Sequence, residues 1–274
     1  MTGTDSWTTV ARAWGENVSY VEHVKRPVTD ALLMDLSLVP GNAVLEVGAG
    51  AGGFARILAE RVAPDGCVIA SDVAEGMVEV MRGLLAGHPG IEVRTCDAAA
   101  TGLPDGAVDA VVARMSLMFS PEPARAVSEA HRVLAGGGRY AAATWAGPLE
   151  NMWMASVGMA AAMNGAVAGV DPTAPGGPFS LNEPKQLLEL LEGAGFDDID
   201  IRDIELEVTF PDTDAHFEHV SSLAGPLAVA LAAAPDDVRA AVRRSAADAV
   251  GRFQGPDGLV FPALARVVWG TSAG

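Results

Sequence analysis

The chain has 274 residues and a formal net charge of -17, with 50% hydrophobic and 19% charged residues. That composition supports one large core, or a core domain carrying inserted caps. So acidic a surface, without a Lys/Arg block, repels phosphate backbones and argues against a general nucleic-acid binder. Cys67 and Cys96 both sit in apolar runs, so they are expected to be buried and unpaired, as suits a reducing cytoplasm. The opening segment "MTGTDSWTTVARAWGENVSY" carries no apolar signal-peptide core.

In chain order, the segment to about Leu38 reads as mostly helical. From residue 42, short apolar runs alternate with helical patterns. Strands are expected at 43–48, 67–71, 91–96, 107–113 and 138–145, and helices at 53–62, 74–86 and 121–134. Residues 97–106 read as a loop with at most one helical turn. Pro40-Gly41, Pro64-Asp65-Gly66, Pro89-Gly90, Asp105-Gly106 and Gly136-Gly137-Gly138 punctuate the joins. This alternation predicts a doubly wound α/β domain with a parallel sheet. After Trp145 comes an uncharged Gly/Pro/Met/Ala insertion. Its run "MWMASVGMAAAMNGAVAGV" (152–170) approaches membrane-spanning length, but it contains Asn164 and lacks flanking basic anchors. It reads as a buried or pocket-lining helix. A helix at 182–196 and a strand at 199–210 follow. The apolar phase of that strand shifts between Ile201 and Ile204, which predicts a bulge near Arg202-Asp203. A second, Ala-rich helical insertion precedes a last strand at 263–270. The last two strands are expected to pair antiparallel at one edge of the sheet.

The stretch "VLEVGAGAGGFARIL" (44–58) matches two fingerprints. Gly48, Gly50 and Gly53 fit the dinucleotide pattern G-x-G-x-x-G. Glu46, Gly48, Gly50 and Gly52 fit E-x-G-x-G-x-G. Glycines after a first strand let a ligand approach the backbone closely, so the motif alone does not choose the ligand. Asp72 would hold a ribose hydroxyl under either reading. Three features discriminate. Glu46 lies two residues before Gly48. Asp97 and Ala98 follow the third strand, where a carboxylate and the next N–H can read an adenine. The fourth strand is followed by a helix and "HRVLAGGGRY".

As a set, these residues resemble the class I S-adenosylmethionine-dependent methyltransferases, over about residues 40–210 plus the closing strand. The runs Asp72–Met77 (D-V-x-x-x-M) and Arg132–Gly138 (R-V-L-x-x-G-G) are similar to the ubiquinone/menaquinone-type small-molecule subgroup. The chain departs from that pattern in three places. Glu46 stands where Asp is usual, Ala49 and Ala51 replace Cys or Thr, and a Pro before the glycines near 136 is missing. The resemblance implies a Rossmann-like, seven-stranded, mostly parallel sheet with an antiparallel edge strand and helical cap insertions. It divides the chain into a helical lid (1–38), a cofactor-binding core (39–145), a cap insertion (146–181), a continuation of the core (182–211), a second cap (212–256) and a closing strand (257–274).

The resemblance also implies roles. Gly48, Ala49, Gly50 and Gly52 would wrap the methionine portion of S-adenosylmethionine, with Glu46 beneath the loop near its ammonium. Asp72 would take the ribose, Val73 and Met77 would wall the adenine and ribose, and Asp97 and Ala98 would read the adenine. Arg114 would line the cofactor side of the reaction zone, and Tyr20 would close over the methionine end. Ser116, Met118, Phe119 and Trp153 would face the acceptor. The implied reaction is in-line methyl transfer, without a metal, to an O, N or C nucleophile of a small, largely hydrophobic acceptor. No general base stands out; His216, His219 and His23 are the candidates, whereas His88 and His131 fit structural or solvent positions. "ARMS" after the fourth strand, in place of an N-P-P-Y-like run, favours a small molecule over a nucleic acid. A cofactor-binding module without catalysis and an NAD(P)-dependent oxidoreductase remain as alternatives, and the apolar helices could instead pack together or form a homodimer contact.

Overall fold

A computed structural model describes residues 3–167 and 171–273. Five strands run parallel: β1 (Ala43–Val47), β2 (Cys67–Asp72), β3 (Ile91–Thr95), β4 (Val108–Arg114) and β5 (Leu134–Trp145). They lie in the order β3-β2-β1-β4-β5. The order reverses at β1 and β4, so the crevice outside their carboxyl ends is the switch point where open α/β sheets bind ligands. Two long strands complete the far edge, β6 (Phe196–Phe210) and β8 (Gly258–Ser272). β8 is inserted between β5 and β6 and runs antiparallel to both. A two-residue strand, β7 (Gln254–Gly255), pairs with the start of β8 and brings the total among the described residues to eight. Its sequence has no apolar alternation to announce it. The closing strand is also longer than its apolar run suggested, with Pro262 paired opposite Glu207.

Helices cover both faces. α4 (Gly53–Val62), α5 (Glu75–Leu84), α6 (Pro123–Val133) and α8 (Pro184–Ala194) connect the strands. α8 starts with a reciprocal capping box between Glu183 and Gln186 and stops at Gly195 in the left-handed region. The N-terminal segment forms α1 (Gly3–Glu16), α2 (Val18–Val24) and α3 (Arg26–Leu36). α3 lies on the sheet face where Arg139 of β5 donates to the Asp35 carbonyl and Arg202 of β6 pairs with the Asp35 carboxylate at 2.6 Å. On the opposite face Phe196 packs against Tyr140 and against His131 of α6.

This two-sided cover corrects the expected bulge. Arg202 and Asp203 pair in unbroken register with Val267 and Arg266, and the irregularity lies between Asp197 and Asp200, where Asp198 has φ 49°. The phase shift from Ile201 to Ile204 arises because the two side chains face different helix layers: Ile201 the α8 side, and Ile204, in phase with Arg202, the α3 side. Cys67 also differs from expectation. As the first residue of β2 it stands at the solvent end of the sheet and is exposed, while Cys96 is half-buried.

The first insertion contains α7 (Met152–Met163). The second contains α9 (Thr213–Leu223), α10 (Gly225–Ala233) and α11 (Asp236–Val250). Val157, Ala160 and Ala161 of α7 join Phe217, Val220, Leu231, Val242 and Ala246 in a hydrophobic cluster separate from the sheet core. Met159 and Met163 of α7 are exposed. Residues 168–170, the end of the apolar run read as one helix, lie outside the described residues. Among the described residues no helix is long and apolar enough to cross a membrane.

Candidate cofactor and acceptor site

The glycine loop follows directly from β1. Gly48, Gly50 and Gly52 all have positive φ. The loop is held from outside itself. The Ala49 N–H donates to the Ser71 carbonyl at 2.9 Å, and the Gly50 N–H donates to Asp72 Oδ2 at 3.0 Å. Asp72 Oδ1 accepts from the Ala74 N–H at 2.9 Å. Asp72 therefore fastens the loop to the end of β2 while each oxygen keeps a further lone pair for a ligand hydroxyl. Burial raises its pKa, and the N–H groups of Ala74 and Gly50 oppose that.

Ser116, expected at the acceptor, lies beneath the loop. Its Oγ donates to the Val47 carbonyl at 2.8 Å. Met115, just before it, has φ 57° and makes the sharp turn out of β4. Val73 is 45% exposed beside Asp72, free to wall a planar ligand. Met77 is only 2% exposed and packs with Val10, Ala11 and Ala74 under α1, so of the expected pair only Val73 is open to a ligand. Asp97 is exposed and closes a small turn by accepting from the Ala99 N–H at 2.8 Å; Ala98 is half-buried beside it.

Glu46 is 2% exposed and its Oε2 has no hydrogen-bond partner. Burial pushes its pKa up to about 8; the nearby Glu22 and Asp72 carboxylates add to this, and Arg114 and Lys25 oppose it. A buried carboxyl oxygen without a donor, directly under a glycine loop, is complementary to a ligand ammonium.

Arg114 is the principal revision at this site. Its terminal nitrogens grip Glu22 of α2 from two directions, at 2.7 and 2.5 Å, and Nη1 also donates to Thr29 Oγ1 of α3 at 2.8 Å. The guanidinium lies over the Phe54 ring at 4.6 Å. Those donors tie the lid helices to the sheet instead of facing a cofactor. Tyr20 is also displaced from its expected place. Its hydroxyl donates to the Thr209 carbonyl at 2.8 Å, and its ring meets His219 at 4.7 Å, so it belongs to the junction of β6 and α9. Over the loop itself stands Trp14 of α1, with a ring atom 4.0 Å from where a Cβ on Gly50 would sit. Trp14 Nε1 donates to the Leu223 carbonyl of α9 at 2.9 Å, which joins lid to cap.

An aromatic cluster joins the sheet edge to the cap helices. Phe210 meets His216, His219 and Phe261; Phe253 meets Phe261; Trp145 meets Trp153. Trp153 is half-buried and its Nε1 is a buried donor without a partner. Met118 is 1% exposed, and Phe119 sits edge-on to Trp7 of α1 at 4.8 Å. The three histidines separate clearly. His23 is exposed on α2. His216 is fully buried, and its Nε2 lies 2.5 Å from the Trp153 carbonyl, which sets that nitrogen as the protonated donor and leaves Nδ1 unpartnered. Burial lowers its pKa. His219 is half-buried, and burial, with His216 and Lys25 nearby, pushes its pKa down to about 4.

Glu22, Thr29, Trp14 and Lys25 were missed by the sequence reading. No local motif marks them; Glu22 and Arg114 are 92 residues apart in the chain. Asn151 was missed too. It is fully buried and pins the start of α7 to β8 by donating to the Leu264 carbonyl and accepting from the Leu264 N–H.

Residues 45–142 match the methyltransferase domain family. The nocamycin O-methyltransferase of Saccharothrix syringae is 32% identical over 207 residues, which cover 69% of this chain and 71% of that protein. The chain belongs to the class I S-adenosylmethionine-dependent methyltransferases. The demethylmenaquinone methyltransferase of Symbiobacterium thermophilum is 36% identical over 104 residues, 37% of this chain and 41% of that one. Several curated relatives match over less than half of their own length, between 37% and 46%. Among solved structures, Haemonchus contortus phosphoethanolamine N-methyltransferase 2 superimposes with a TM-score of 0.61 at 13% identity, over 100% of this chain and 61% of that one, and so shares the fold. The family's cofactor is S-adenosylmethionine, and the residues present fit it. Glu46 offers an unpaired buried oxygen to an ammonium, Asp72 keeps lone pairs for ribose hydroxyls, and Gly48, Gly50 and Gly52 take the positive φ that bends the backbone into a side-chain-free loop.

Proposed function

We propose that this methyltransferase transfers a methyl group from S-adenosylmethionine to a small, largely hydrophobic acceptor, through an oxygen, nitrogen or carbon nucleophile. The observation that carries this reading is the apolar, aromatic character of the junction between sheet and cap: Phe210 of β6 and Phe261 of β8 pack with His216 of α9, and Trp153 of α7 packs with Trp145 and keeps an unpartnered Nε1 donor. Apolar pockets with few placed polar groups bind and orient such molecules. The kinship to an enzyme named as nocamycin O-methyltransferase supports an acceptor of secondary metabolism. Nothing in the site or the kinship favours a nicotinamide oxidoreductase or a module without catalysis.

When bound, the cofactor supplies a methyl group made electrophilic by its positive sulfur. The chain's share is placement. Asp72, steadied by the Gly50 N–H, holds the ribose end, the glycine loop wraps the methionine portion, Glu46 takes the ammonium, and Trp14 covers the loop and excludes water. The partly buried Phe119 and Trp153 shape the acceptor side, with Met118 packed in the core behind them, so that nucleophile and methyl meet in line. The test is a methyl-donor assay across phenol, amine and polyprenyl acceptors, with release of S-adenosylhomocysteine as the readout. Trp153→Ala raises the acceptor KM more than the cofactor KM if this junction binds acceptor. Equal effects on both, or preference for a small and highly polar acceptor, contradict the reading.

A further inference from the structure

Between the loop side and the cap side stands a cation that nothing above uses. Lys25 occupies the junction of α2 and α3, half-buried, with its Nζ 5.0 Å over the Trp14 ring. Charged and titratable groups face it from several elements: Glu22 from α2, Glu46 from β1, Arg114 from β4 and His219 from α9. Among the described residues no carboxylate lies within ion-pair distance of it, because Glu22 is engaged by Arg114. We propose that Lys25 is the general base of methyl transfer, taking the proton from an ionisable hydroxyl, phenolic or enolic, on the acceptor. This assignment rests on the methyltransferase reading above.

The other titratable groups at this junction are less suited. His23 is exposed. His216 donates from Nε2 to the Trp153 carbonyl and is fully buried, and burial lowers the proton affinity of its unpartnered Nδ1. His219 has too little proton affinity, its pKa being pushed down to about 4. The Tyr20 hydroxyl donates to Thr209, and burial pushes its pKa up to about 12. Glu46 lies under the loop, where a charged carboxylate serves the cofactor ammonium. Lys25 instead borders Trp14, which covers the loop, and His219, which belongs to the cap. Burial and the Arg114 guanidinium push its amine down to about 7, so the neutral form is present near neutral pH. A base works best with a pKa near the working pH. In the step, the acceptor oxygen gives its proton to Nζ of Lys25 and forms the new O–C bond. The C–S bond breaks and its electron pair stays on sulfur. Lys25 then carries a positive charge and returns its proton to solvent.

The experiment compares two phenols as acceptors, 2-naphthol and 4-nitrophenol, at about pH 8.5, where the second is already ionised. Wild type, Lys25→Met and Lys25→Arg are assayed, and S-adenosylmethionine binding is measured by calorimetry. Arg keeps the charge and cannot give up its proton. Both variants are expected to lose about 10²–10⁴-fold in kcat/KM on 2-naphthol and at most a few-fold on 4-nitrophenol, with cofactor affinity retained. The wild-type kcat/KM on 2-naphthol should rise with pH through about 7, a limb both variants lack. Equal losses on the two phenols, loss of cofactor binding in the variants, unchanged activity, or no methylation of either phenol by cofactor-loaded wild type each overturn the base assignment. Failure of wild type to bind S-adenosylmethionine overturns the underlying methyltransferase reading instead.

Discussion

A Cβ on Gly48 would stand 2.3 Å from the Cβ of Ser116. The first glycine of the loop is therefore pressed onto the turn that leaves β4, and the Ser116 hydroxyl closes that contact on the Val47 carbonyl. With φ at 67°, Gly48 also occupies a region that side chains avoid. Gly48→Ala is expected to destabilise the fold by about 2–3 kcal/mol or more, from the αL conformation and the clash together, and to weaken cofactor binding. Ser116→Gly in the same chain removes the clash but not the cost of the positive φ, so it restores part of the loss. Urea denaturation of both single variants and the double variant measures the coupling. Purely additive effects contradict the contact.

The Arg114–Glu22 pair links strand end to lid, with side chains 6% and 18% exposed. Removing one member leaves the other charge buried and unpaired, which costs about 3–5 kcal/mol. Glu22→Gln should lose stability on that scale, and a Glu22→Leu/Arg114→Leu double variant should lose less than Glu22→Gln alone. Chemical denaturation tests the ordering. An Arg114→Lys variant restoring full stability would argue against the two-pronged grip.

Glu46 carries a pH dependence. Its folded pKa lies near 8, above the ordinary 4.5, so the folded state holds the proton more tightly. Its stabilising contribution is complete below pH 4.5 and is lost as pH rises through about 8. Relative to Glu46→Gln, the cofactor-free wild type should therefore lose stability between those pH values and be the less stable chain above about 8. A constant difference across pH by urea denaturation contradicts this. S-adenosylmethionine binding near pH 7 should also release a proton, visible as a dependence of calorimetric heat on the buffer's ionisation enthalpy.

With a net charge of -17, the chain should show no appreciable affinity for DNA or RNA at physiological salt. Salt-sensitive, sub-micromolar binding in a gel-shift contradicts that expectation.

The core was legible in the sequence because its signals are local. β1, β2 and β4 are short apolar runs bounded by Gly, Pro or Asp, and the helices between them begin and end within a few residues of their patterns. The glycine loop was legible for the same reason. β7 was not, because two residues, Gln254 and Gly255, carry no periodicity. Arg114 was misplaced because its partners, Glu22 and Thr29, arrive from helices packed far along the chain. Tyr20 missed for the opposite reason: its helix was recognised, but helical phase alone does not say which neighbour a face meets. The Ile201 to Ile204 phase shift was read as a bulge because alternation cannot distinguish a kinked strand from one buried on both faces.

The central claim is that Asp72 and the glycine loop form an S-adenosylmethionine site. Calorimetric titration of the purified chain with S-adenosylmethionine, repeated on Asp72→Ala, tests it most directly. Asp72 accepts from both Gly50 and Ala74, so its loss loosens the loop and would remove the proposed ribose contacts together. The expected result is one-to-one binding by wild type and at least about a hundredfold weaker binding by the variant, corresponding to about 2.7 kcal/mol. Equal affinities for the two proteins would contradict the placement, and binding of NADH without S-adenosylmethionine would contradict the site itself.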